Sequence, residues 1–106
     1  MSRQPDQDRT PISSTLAEIA DHRAAAANYR IQAEQADIEA GVAYSQLVDQ
    51  FMPADDWVED GPMDPYRRAN AALAPAYAEI RRLEAVAAGL EAKARRLEDQ
   101  IAGGAG

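Results

Sequence analysis

The chain has 106 residues, 46% of them hydrophobic, and a formal net charge of −7. That length holds one domain or less, the acidic balance argues against direct nucleic-acid binding, and the lack of cysteine excludes disulfides and thiolate metal sites. About half of the hydrophobic residues are alanine, 24 in all, the best helix former but one that buries little area. β-Branched and aromatic residues are sparse and no strand-like alternation persists, so the expected fold class is all-α. Its core should be thin, and such a chain gains by sharing that core with another copy or a partner.

Residues 1–10 are polar, with Pro5 and balanced charges, and predict a mobile arm. Thr10-Pro11 offers an N-cap followed by a first-turn proline, and Thr15-Leu-Ala-Glu18 is a capping box. A first helix over residues 11–52 follows, with Gly41 its one internal breaker. Its seam alternates steps of three and four through Ile19, His22, Ala26, Tyr29, Ala33, Ala36, Ala40, Ala43 and Leu47. Ile31, Ile38 and Val42 lie roughly opposite that seam. One neighbouring helix cannot cover both faces, so these three residues are the expected self-association surface.

Pro53 ends the helix and opens an acidic connector over 53–64, with Asp55, Asp56, Glu59, Asp60 and Asp64 around the only tryptophan, Trp57. Gly61-Pro62 marks a turn. Asp56, Asp60, Gly61 and Asp64 fit four positions of a calcium loop, but Val58 and Arg67 occupy two required carboxylate positions, so a solvated loop is the preferred reading and no metal or cofactor is expected. Trp57 with Asp55, Asp56, Glu59 and Asp60 is also a candidate docking epitope, because aromatic anchors are favoured at interfaces.

Asp64-Pro65 again pairs an N-cap with a first-turn proline and starts a second helix over 65–102, which Pro75 should kink or divide. Its heptad stripe is the clearest signal in the chain. Leu73, Ile80, Ala87, Ala94 and Ile101 alternate with Ala76, Leu83, Leu90 and Leu97, as in a coiled-coil seam. Residues 103–106 are glycine-rich and are expected to form a frayed, flexible tail. Arg67-Arg68, Arg81-Arg82 and Arg95-Arg96 recur every two heptads and read as a solvated face with local pairs, Glu91 to Arg95, Arg81 to Glu84 and Arg95 to Asp99, the alternative being a basic ladder for a phosphate polymer or an acidic partner. The first helix is acidic and the second, from Arg67 on, basic, so carboxylates of the first are expected to face bases of the second.

The expected architecture is an antiparallel hairpin of two long helices, coiled-coil-like and dimerising into a four-helix bundle. Centring the connector on Glu59 sets Gly41 level with Tyr77 and Gly89 level with Tyr29, so each ring should fill the space beside a glycine. His22, the only histidine, has no nucleophile or second ligand near it in sequence, and no catalytic residue is assigned. There is no apolar leader, and the longest uncharged run, Ala69 to Ala78, contains Pro75, so no signal peptide or membrane span is expected. The function that follows is a non-enzymatic structural or adaptor protein, in the cytoplasm or in a phage particle, whose partners are itself and another protein. The alternative is an acidic inhibitor that occupies a partner's nucleic-acid site; its binding would weaken steeply with salt, whereas coiled-coil packing would hardly change.

Overall fold

A computed structural model describes the backbone of residues 5–105 and the side chains of residues 12–103. Among the described residues there is no strand. Three helices follow in order, α1 (Pro5–Phe51), α2 (Pro65–Ala72) and α3 (Ala74–Ala105). The all-helical expectation therefore holds, with two long helices and one short one.

Two boundaries differ from expectation. Helix α1 starts at Pro5 rather than Pro11, so the predicted arm is helical from Pro5 on, and its first four residues lie outside the described part. Pro5 offers the same first-turn fit that Pro11 suggested, since the N–H it lacks would have no intrahelical acceptor there. At the other end α3 runs to Ala105, through glycines expected to fray.

Pro75 does divide the second helix. The chain leaves α2 at Leu73, whose φ of −96° and ψ of 2° lie outside helical values. The Leu73 N–H donates to the Ala69 carbonyl at 3.1 Å, and the Tyr77 N–H donates to the Leu73 carbonyl at 3.0 Å. The helix thus closes and reopens around the residue that cannot donate. Asp64 caps α2 as expected, its carboxylate accepting from the Tyr66 N–H at 2.8 Å with Pro65 in the first turn.

The chain divides into two compact units, Met1–Arg30 with Ala85–Gly106, and Ile31–Glu84. In the first, Ile19 and Ala26 of α1 and Ala87 and Ala94 of α3 are buried. Arg23 pairs with Glu98 at 2.5 Å, and Arg30 grips Glu91 through two bonds of 3.0 and 2.7 Å. The order of these pairs along α3 is the reverse of that along α1. In the second unit Ala33, Ala40 and Val48 of α1 are buried, as are Pro65 and Ala69 of α2 and Ile80 and Leu83 of α3. The Arg68 guanidinium lies 3.8 Å from the centre of the Phe51 ring, a cation–π contact beside the connector.

Both seams read from the sequence are inward. Every member of the α1 seam from Ile19 to Leu47 is buried or half-buried. So is every member of the later stripe: Ile80 and Leu83 are buried, and Leu73, Leu90, Leu97 and Ile101 are half-buried. A three-and-four alternation keeps one stripe on one side of a helix, which is why spacing alone finds it.

The glycine–tyrosine register is not observed. A Cβ placed on Gly41 or on Gly89 would meet nothing within 4 Å, so no ring of the same chain fills either space. The Arg23–Glu98 and Arg30–Glu91 pairs reach about one helical turn past Arg95 and Ala88, the residues that register sets level with them. Both glycines are simply exposed helical positions. Gly41→Ala is accordingly expected to stabilise the chain, by up to about 1 kcal/mol, through helix propensity alone; a lower midpoint in urea would show that the site is occupied after all.

Candidate functional site

The outer side of α1 in the Ile31–Glu84 unit is the first candidate. Ile31, Ile38 and Val42 are 54%, 61% and 55% exposed. Steps of seven and four place them on one line along about 16 Å of helix. Ala33 and Ala40, on the opposite side, are buried. The helix therefore has one filled apolar face and one unfilled.

The charged residues beside that line are acidic, among neutral Gln35 and Ser45. At about 100° per residue Glu34 falls on one flank and Glu39 on the other, while Asp49 continues the line two turns beyond Val42. All three are exposed, and none forms an ion pair or hydrogen bond among the described residues. This corrects the expected electrostatics. The pairs between α1 and α3 in the first unit join arginines of α1 to glutamates of α3, the opposite sense to that predicted. Glu91 is taken by the fork of Arg30 rather than by Arg95, and Arg82 pairs with Glu79 at 2.7 Å where Arg81 with Glu84 was expected. A planar guanidinium can satisfy both carboxylate oxygens at once, as Arg30 does for Glu91 and Arg82 for Glu79. These arginines hold the Glu91 and Glu79 carboxyls below the usual range, chiefly through the side-chain bonds they donate.

The connector is the second candidate. Asp55, Asp56, Glu59 and Asp60 are exposed and Trp57 is half-buried, its indole N–H donating to the Met52 carbonyl at 3.3 Å. Asp64 is buried and serves the fold. One oxygen accepts from the Tyr66 N–H and the other from the Asp60 N–H at 2.8 Å, and these backbone donors, Asp60 first, hold its carboxyl below the usual range. The loop is shaped by two residues. Asp60 sits at φ 63°, a conformation that aspartate tolerates better than most residues. A Cβ on Gly61 would lie 2.7 Å from Val58 Cγ2 and 3.1 Å from the Val58 carbonyl oxygen, which explains the glycine. Arg67 donates to the Asp60 carbonyl and closes the loop onto α2. A hollow of about 410 Å³ opens between Trp57, Tyr66, Arg67 and Asn70, with Glu59 and Asp60 at its edge.

For the calcium loop weighed in the connector, no group of three or more candidate ligands comes together among the described residues. Asp64 is committed to two backbone donors, and Arg67 stands where a bidentate carboxylate would be needed. His22 is half-buried beside a shallow recess of about 200 Å³ with Glu18, Lys93 and Arg96. Among the described residues no helix is long and apolar enough to cross a membrane.

What the sequence reading missed is that Glu34, Glu39 and Asp49 of α1 form no ion pair among the described residues. The signal was there: from Ile31 to Tyr66 the chain has nine carboxylates and not one lysine or arginine. No family model matches the chain, and no curated protein or solved structure is similar to it.

Proposed function

We propose that the chain is a non-enzymatic structural or adaptor protein that works by packing helices. In this reading α1 and the α2–α3 pair form an antiparallel hairpin, and the outer face of α1 receives a further helix, in self-association or from a partner protein. A second copy there would give the four-helix bundle expected from the sequence. The observation that carries the reading is the exposure of Ile31, Ile38 and Val42 on the side of α1 away from its buried alanines. Apolar side chains scattered singly on a surface need no explanation. Three in line at heptad-like spacing, on a helix whose other face is already filled, form the kind of stripe a helix groove accepts.

The test is Ile38→Glu, followed by circular dichroism and light scattering. Because Ile38 is mostly exposed, helicity should stay within experimental error of the parent. Any mass above the monomer's 11.5 kDa should fall to that value, and any helix bound at this face should be released. A variant that unfolds would place Ile38 in the chain's own core. One that keeps both its mass and its helix binding would show that the face is not used. Either result removes the reading.

A further inference from the structure

We infer that the helix received by the outer face of α1 is a basic amphipathic helix of another protein, rather than a second copy of this chain. The inference rests on the helix-docking reading of that face and adds the chemistry of the occupant.

The apolar line supplies contact area, and its flanks supply selectivity. In paired helices the residues beside the apolar seam face their counterparts across the interface, where opposite charges favour a pairing and like charges oppose it. Here the flanks are Glu34 and Glu39, with Asp49 beyond, all exposed and in no ion pair among the described residues; Arg30, one turn before Glu34, is held by Glu91. A helix with lysine or arginine on both sides of its apolar stripe complements that pattern.

A second copy does the reverse. Setting Ile31 and Ile38 beside their own copies in a parallel pair about a two-fold axis sets Glu34 of each chain against Glu39 of the other, like charge against like, twice over. Shifting the pairing within this stretch does not help, because no base lies between Ile31 and Tyr66 to meet an acid of the other copy. Of the described arginines, Arg23 and Arg30 hold Glu98 and Glu91, Arg82 holds Glu79, and Arg67 and Arg68 are taken up at the connector, while the exposed Arg81, Arg95 and Arg96 belong to α3 and not to the face of α1.

The probes are two labelled three-heptad peptides with leucine at both seam positions, one flanked by lysine and the other by glutamate. Fluorescence anisotropy reads their binding to the full chain, and sedimentation reads the state of the chain itself. The lysine peptide should bind about tenfold or more tightly than the glutamate peptide at ~0.1 M salt, with the gap narrowing as salt rises. Glu34→Lys with Glu39→Lys should invert the preference. Ile38→Ala should weaken binding of the lysine peptide at unchanged helicity.

Equal binding of the two peptides, both sensitive to Ile38→Ala, would leave the docking face standing and overturn the basic partner. Lysine-peptide binding indifferent to Ile38→Ala would mean attraction to general acidity, as an inhibitor that mimics nucleic acid would show, and would overturn the inference. An Ile38-dependent dimer that excludes both peptides would make a second copy the occupant and overturn it equally. Binding of neither peptide by a monomeric chain would remove the docking reading along with it.

Discussion

Leu83→Ala is expected to lower the stability of the chain by about 2–4 kcal/mol, a large fraction of what a domain this small possesses. The reason is the scarcity of large buried side chains. Ten hydrophobic residues are buried among those described, and six of them are alanine. Of these ten only Ile19, Val48, Ile80 and Leu83 bring more than a methyl group, and Leu83 is only 5% exposed. Truncating it removes apolar contact and leaves a cavity between elements already held at alanine spacing, with little freedom to collapse. Urea unfolding followed by circular dichroism gives the number. Leu16→Ala is the control: Leu16 is exposed, so its truncation should cost under about 1 kcal/mol. Equal losses at the two sites would mean that the heptad stripe is not what holds α3 in place.

How much of this was legible in the sequence depends on the range of the signal. The Leu73–Ile101 stripe and the α1 seam were found because a three-and-four alternation is local and survives any choice of neighbour. Pro75 and Asp64-Pro65 were legible for the same reason: a missing N–H and a side-chain cap act within one turn. The glycine–tyrosine register failed because it needed the offset between two helices, and that offset is set by how the connector folds. Asp60 at positive φ, Gly61 pressed against Val58 and Asp64 holding two backbone N–H groups together fix that path, so the midpoint of the connector in sequence was a poor guide. The sense of the ion pairs failed similarly. Net charge per helix favoured acids of α1 facing bases of α3, yet which side chains meet depends on rotation about each helix axis. Arg30 and Glu91 sit beside the seam, whereas Glu34 and Glu39 flank the outer face. Ile31, Ile38 and Val42 were legible as a second face because periodicity shows what points away from a seam, but periodicity does not say what covers it.

Ala94→Leu is the counterpart of the first prediction, and it isolates packing from helix propensity. Leucine is nearly as good a helix former as alanine, so the substitution should hardly affect α3 as an isolated helix. Ala94, however, is fully buried, and Ala26 in the same unit is 1% exposed. In that unit, Arg23–Glu98 and Arg30–Glu91 tie α1 to α3 on either side of these two alanines in sequence. Small side chains at such positions let helix backbones approach closely, and an added isobutyl group forces strained rotamers or a backbone shift. The expected loss is about 1–3 kcal/mol. Ala88→Leu, at an exposed position of the same helix, should change stability by no more than about 0.5 kcal/mol. Combining Ala94→Leu with Ala26→Gly tests the same geometry: if the two methyl-sized sites share one space, removing the Cβ of Ala26 should recover part of the loss, beyond the roughly 1 kcal/mol that glycine itself costs in a helix. A neutral or stabilising Ala94→Leu would show room beside Ala94 that its burial denies, and would require α1 and α3 in this unit to stand further apart than the two ion pairs imply.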